Sequence, residues 1–271
     1  MTMNQINVLF IGAGRMAQAL IAGIKQDEQF SLIVANKGNK ERLAFVREMY
    51  GVHTTDHWQK AVSRVNIIVL ALPPENHDVI LAELKQLVSG QLIVTIAAGI
   101  SPTYLESELP SGTAVAWVMP NTAAKLGQSI TLYALGHYVN DKQHEWIRNL
   151  IRGIGDFEFV TEHQIHELTA ITGSAPAFVY LMASVLEKLA EETGISAQQA
   201  RKLVAQMIAG STEMLKTNQD YFDLIDEVAT PGGSTAAGVE VLLQSRFPEL
   251  LREAISACRK KAQELISIET Y

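Results

Sequence analysis

The chain has 271 residues, 48% of them hydrophobic and 19% charged, which suits one large domain or two modest ones and excludes a disordered chain. A formal net charge of −7 argues against nucleic acid or an anionic membrane surface as the main partner. The single cysteine, Cys258, permits no intrachain disulfide, which fits a reducing compartment; its place in a Lys/Arg-rich helical stretch reads as inert packing. In chain order, Ile6–Ile11, Ser31–Ala35, Asn66–Leu72, Leu92–Ile96 and Thr113–Val118 read as buried strands rich in Val, Ile and Leu. Helical patterns at Met16–Gln26, Lys40–Met49 and Asn76–Val88 separate the first four. A further helix, Lys142–Ile154, and a last strand, Asp156–Val160, complete the expected domain. This alternation predicts a doubly wound, mostly parallel α/β sheet with right-handed crossovers over residues 1–161.

Beyond residue 162 the pattern becomes helical, with segments at His163–Ile171, Pro176–Thr193, Ser196–Asn218, Tyr221–Val228, Ser234–Ser245 and Phe247–Ser267. An all-α domain over 162–271 is expected. Val179–Leu189 and Leu203–Met214 carry apolar residues on more than one face, the mark of a homodimer interface or of central helices. Val8–Ile11 and Ile67–Pro74 are strand-sized apolar runs, so no membrane partner and a cytoplasmic location are expected.

Gly12-Ala13-Gly14-Arg15-Met16-Ala17 follows the first strand and opens a helix, the G-x-G-x-x-A pattern of a dinucleotide site. Gly12 permits a tight turn, Gly14 lets a pyrophosphate reach the backbone, and Ala17 lets helix and strand pack closely. The phosphates would sit at the helix N-terminus, where free N–H groups and the dipole favour anions. After the second strand stand Asn36 and Lys37 rather than an acid, which favours NADPH over NADH; alternatively Lys37 and Lys40 are solvated turn residues. Ala71-Leu72-Pro73, Ala97-Ala98-Gly99 and Asn121 lie after the third, fourth and fifth strands, on the edge where open α/β sheets bind ligands. Asn121 either donates to the coenzyme or caps a turn.

Thr230-Pro231-Gly232-Gly233-Ser234-Thr235 resembles an N-cap and first helical turn whose glycines expose backbone N–H groups, a nest suited to a carboxylate. His163 and His166 lack further metal ligands, so no metal is expected.

With Met119-Pro-Asn-Thr122 and Thr172-Gly-Ser-Ala-Pro-Ala177, these motifs occur in the order and spacing of the pyrroline-5-carboxylate reductases, which the whole chain resembles. The resemblance implies a Rossmann domain, a helical domain that interlocks with its twin in a dimer, sometimes a larger oligomer of dimers, and reduction of a small cyclic imine by NADPH or NADH. It implies that Ser174, Thr230, Gly232, Gly233, Ser234 and Thr235 bind the substrate, with Thr235 on the ring nitrogen. Leu72-Pro73-Pro74 stands where the family has Lys-Pro, Trp117 where Arg is common, and Trp58 near a ribose-contacting Asn of some members. Two alternatives stand beside this reading: a reductase of another cyclic imine, and a non-enzymatic NADP-binding paralogue. A β-hydroxyacid dehydrogenase would need a helical-domain lysine as acid, and Lys188 and Lys202 lie outside the signature positions.

Overall fold

The structure, a computed structural model, describes residues 5–217 and 219–268, with side chains described through residue 264. The first part runs β1 (Ile6–Ile11), α1 (Arg15–Ile24), β2 (Phe30–Ala35), α2 (Lys40–Tyr50), β3 (His53–Thr55), a 3₁₀ segment Trp58–Arg64, and β4 (Ile67–Leu70). It continues with α3 (His77–Leu84), β5 (Leu92–Thr95), α4 (Pro102–Glu108), β6 (Val115–Met119), β7 (Ser129–Leu135), α5 (Asp141–Arg152) and β8 (Gly155–Phe159). Among the described residues the strands form one eight-stranded sheet in the order β3-β2-β1-β4-β5-β6-β7-β8. Every neighbouring pair is parallel except β6 with β7. The doubly wound expectation holds, and three elements are added to it: β3, α4 and β7.

Strand alternation divides the core between the two faces. Val8 and Phe10 of β1 join α1, Leu43 and Val46 of α2, and Ile147 and Leu150 of α5 in one cluster. Leu9 and Ile11 face Trp58, Leu81 and Leu84 of α3, and Leu105 of α4 in the other. Side chains alternate along a strand, so a sheet buried on both sides must be apolar at every position, as Ile67–Leu70 and Leu92–Val94 are. The strand order reverses between β1 and β4, which opens a crevice beyond their carboxyl ends.

The helices that follow are α6 (Glu162–Thr169), α7 (Pro176–Glu191), α8 (Ala197–Leu215), α9 (Tyr221–Val228), α10 (Ser234–Gln244) and α11 (Phe247–Ile268); a π-helical turn, Ala170–Ser174, joins α6 to α7. Asn218, the last residue of the third of the sequence-predicted helical stretches, lies outside the described residues. Capping boxes start α6 (Thr161 with Gln164) and α8 (Ser196 with Gln199), so their ends are written locally. Two compact units result, one reaching Gly173 and including the chain from Lys261, the other Ser174–Lys260. The division falls later than residue 161 because α6 packs on the sheet: its Ile165 is buried with Trp117, Leu132 and Ala134.

Within the second unit, Ala200 and Val204 of α8 are the only hydrophobic side chains buried among the described residues. Leu181 of α7 is 66% exposed, and Val185, Leu203, Met207, Phe222 and Leu242 are also uncovered. By length and composition alone, the helical stretch Glu162–Glu191 could cross a membrane. Its first turns pack on the sheet through Ile165 and Leu168, and Ala170 is buried, while Val179, Leu181, Met182, Val185 and Leu189 belong to this uncovered surface.

Candidate functional site

The crevice at the sheet's switch point starts from Gly12. Its φ of +111° suits glycine, and a Cβ there would overlap the Ala71 carbonyl, so the turns after β1 and β4 touch backbone to backbone. Ala13 and Ala17 are buried in the packing of α1 on the sheet, and Gln18 Nε2 donates to Ala13 O at 2.9 Å. Gly14 is the N-cap of α1 in extended conformation, without a side-chain cap, and a Cβ on it would meet nothing within 4 Å. Gln18 N–H to Gly14 O is the first intrahelical bond, at 3.0 Å. The N–H groups of Arg15, Met16 and Ala17 therefore precede the ladder, on a helix start that no side-chain oxygen fills. These residues fit a diphosphate.

Beside this turn lies a cleft of about 1070 Å³. Gly12, Leu72 and Pro73 line it, together with Asn36, Lys37 and Gly38 of the β2–α2 turn and Lys40 at the start of α2. Asn39 on the same wall caps α2, its Oδ1 accepting from Arg42 N–H at 2.8 Å. The cleft also includes Trp58, which the resemblance sets near a ribose-contacting position, with its neighbours Asp56, His57 and Gln59 and with Asn76, Val79, Ile80 and Glu83 of the α3 region. The α3 residues carry no motif, and only the topology brings them to the rim. Lys37 is exposed and Asn36 half-buried, free to meet a 2′-phosphate, although Glu41, Asp56 and Glu83 add negative charge to the same walls.

The remaining strand-end turns sit on the same carboxyl edge. Gly99 adopts a φ of +83°, and Ala97 is buried while Ala98 is exposed. Trp117 is buried in the sheet, donates Nε1–H to Ala97 O at 2.8 Å, and packs its ring 4.8 Å from that of His166. Burial chiefly, with His163 adding to it, lowers the His166 pKa below its ordinary value. Asn121 caps the 3₁₀ segment Thr122–Leu126, its Oδ1 accepting from Ala123 N–H at 3.0 Å while its Nδ2 donates to Thr172 O at 3.1 Å. Only one amide hydrogen and one lone pair of that side chain remain for a coenzyme.

In the second unit the other motif is a tight turn rather than the N-cap expected at Thr230. Gly233 N–H donates to Thr230 O at 2.9 Å, and Gly232, at φ +77°, takes the corner after Pro231 that favours glycine. The N-cap of α10 is Gly233, again extended and without a side-chain cap. The first intrahelical bond is Ala237 N–H to Gly233 O, which leaves the N–H groups of Ser234, Thr235 and Ala236 ahead of the ladder. Ser234 and Thr235 are exposed. Ser174 closes the π-helical turn, half-buried, just ahead of α7. Side-chain oxygens cap α2, α4, α5, α6, α8 and α9, whereas the helices of the two glycine motifs start on bare glycine. Among the described residues no cluster of His, Cys, Asp and Glu forms a metal site.

This fold, with a glycine turn at its switch point and a helical unit after it, defines a class: the NAD(P)-dependent oxidoreductases of α/β-plus-helical build. Comparison with known proteins narrows it. Residues 162–265 match the family model described as pyrroline-5-carboxylate reductase dimerisation, and residues 7–99 match one described as NADP oxidoreductase, coenzyme F420-dependent. Pyrroline-5-carboxylate reductase 1 of Bacillus spizizenii is 33% identical over 267 residues, covering 97% of this chain and 90% of that protein. The solved pyrroline-5-carboxylate reductase of Coxiella burnetii superposes with a TM-score of 0.88 at 29% identity, over 97% of this chain and 99% of that one. The Plasmodium falciparum pyrroline carboxylate reductase, solved with NADP bound, gives 0.85 at 27% identity over 97% of this chain and 98% of that one. The chain belongs to the pyrroline-5-carboxylate reductase family.

Proposed function

We propose that this protein reduces Δ1-pyrroline-5-carboxylate to L-proline, with NADPH as the preferred coenzyme, as a cytoplasmic homodimer that can assemble into a larger oligomer of dimers. The observation that carries the reading is the pair of helices that begin on uncapped glycine, α1 and α10, in a chain of this family. The α1 N-terminus takes the pyrophosphate, and Asn36 with Lys37 takes the 2′-phosphate. The turns Ala71–Pro73 and Ala97–Gly99 take the ribose and nicotinamide. When bound, the coenzyme supplies a hydride to the C=N carbon of the ring.

The protein's own part is binding, orientation and proton management. The first-turn N–H groups of α10, with the hydroxyls of Ser234 and Thr235, hold the ring carboxylate. Thr235 orients the ring nitrogen. Segment Thr230–Thr235 holds no His, Asp, Glu or Lys, and a Thr hydroxyl does not titrate near neutrality, so the proton arrives on the imine or from solvent relayed by Thr235. The uncovered apolar faces of α7 and α8 become the dimer interface.

The test is NADPH oxidation with pyrroline-5-carboxylate, run beside its six-membered homologue and repeated with NADH. Turnover of the five-membered ring with a lower KM for NADPH than for NADH is expected. A protein that oxidises neither coenzyme with that substrate refutes the assignment; a clear NADH preference refutes the role given to Lys37.

A further inference from the structure

The turns after β4 and β5 both lie on the carboxyl edge, but the backbone ladder joining those strands ends beneath them. Its register stops at Leu70 with Thr95, and Ile96 N–H to Leu70 O, at 3.2 Å, is the bond at its end. Above that point the connection passes through side chains. His77, in the first turn of α3, is 0% exposed and uses both ring nitrogens. Nδ1 lies 3.2 Å from Pro73 O, and Nε2 lies 3.0 Å from Thr95 Oγ1. A carbonyl only accepts, so Nδ1 carries the proton and Nε2 accepts from the Thr95 hydroxyl. That hydroxyl oxygen accepts the Ala97 N–H at 3.2 Å, while Trp117 holds the Ala97 carbonyl from the other side.

A bonded path thus runs from Pro73 through His77 and Thr95 to Ala97 and Trp117, across the ends of three neighbouring strands. Two residues before Pro73, in the same turn, the Ala71 carbonyl abuts the Gly12 turn. Burial keeps the imidazole neutral, against the opposing pull of the Pro73 and Pro74 carbonyls and of Asp78 and Glu75. An apolar side chain at position 77 would fill the core but leave the buried Thr95 hydroxyl without the acceptor for its proton. What a fully bonded bridge adds is a fixed spacing and orientation of the two turns it joins.

We propose that His77, acting through Thr95, is a positioning residue of the coenzyme site that sets the spacing between the Ala71–Pro73 and Ala97–Gly99 turns. The inference rests on the coenzyme reading of this edge. It is tested in the full-length protein by NADPH titration, by steady-state KM values for coenzyme and imine, and by thermal melts. Thr95→Val, which keeps the shape and drops the hydroxyl, is expected to weaken NADPH binding and raise its KM about 10-fold, the scale of one lost hydrogen bond. The KM for the imine should stay within about twofold, since the bridge reaches coenzyme turns only. Thr95→Ser should restore coenzyme binding. His77→Gln, which can still reach Thr95 but loses Pro73, should show the same selective rise and gives a second reading if Thr95→Val does not fold. Folded variants with unchanged NADPH affinity, even with lowered melting temperatures, overturn the proposal and leave a purely structural network. Wild-type protein that binds no NADPH overturns the coenzyme reading, and the proposal with it.

Discussion

At Gly12 two demands meet in one residue: a left-handed backbone and no room for a Cβ beside the Ala71 carbonyl. Gly12→Ala is therefore expected to lower stability by about 1–3 kcal/mol, read by urea unfolding, and to abolish measurable NADPH binding. Lys37 makes a different kind of contribution. It is exposed, and Lys37→Ala should leave stability unchanged while raising KM for NADPH about 10-fold and KM for NADH little, the lower end for a charge-assisted bond in contact with water. Thr235→Ala should reduce kcat by roughly 10- to 1000-fold without changing the melting temperature, and an unchanged kcat would remove Thr235 from the chemistry. Residues of this kind are legible because their requirement is local: glycine for a turn, a missing acid after a strand. The cap that Asn121 places on Ala123 N–H is local as well, and is one of the two readings its sequence position allows. Its bond to Thr172, 51 positions on, and that of His77 to Thr95, 18 positions on, are not legible, because they exist only once the sheet has formed.

Helices and strands show the same division between local and distant causes. The long parallel strands were readable as continuous apolar runs, and the capping boxes of α6 and α8 fixed those helix starts. β7 was missed because only the short 3₁₀ segment Thr122–Leu126, and no α-helix, separates it from β6, so it breaks the strand–helix–strand rhythm that organises the rest of the sheet. With three and seven residues, β3 and α4 are too short to establish a period. The close approach of Gly23 in α1 to Gly153 after α5 was equally hidden: a Cβ on Gly153 would overlap the Gly23 carbonyl. In the helical unit, the doubly apolar character of α7 and α8 was visible in the sequence, and the structure leaves those faces exposed. Leu181→Arg on α7 should accordingly convert dimer to monomer at micromolar concentration, seen by sedimentation, because a charge in a desolvated interface costs several kcal/mol.

For the molecule as a whole, acidity should be destabilising near and below pH 6.5. Burial chiefly lowers the pKa values of His77, His144 and His166, so the unfolded chain takes protons that the folded one refuses. Stability from these groups is present above the unfolded value of about 6.5 and is lost as pH falls toward their folded values. His137 works in the opposite direction through its hydrogen bond to Glu106, but it is fully exposed and contributes little. The melting temperature should therefore be lower at pH 5.5 than at 7.5, and His77→Gln should narrow that gap; an equal gap would show that His77 is not among the groups responsible.

The one reversal in the sheet governs where the polypeptide leaves it. Had every strand run the same way, β8 would finish on the rim where β1, β4, β5 and β6 end, and the next helix would carry the chain off toward the far side. With β7 and β8 inverted, β8 finishes on the far rim and α6 climbs back across the sheet. Thr172 consequently arrives tied to Asn121, beside the end of β6. The direction of β7 relative to β6 thus routes the end of the first unit back to the rim where the parallel strands finish.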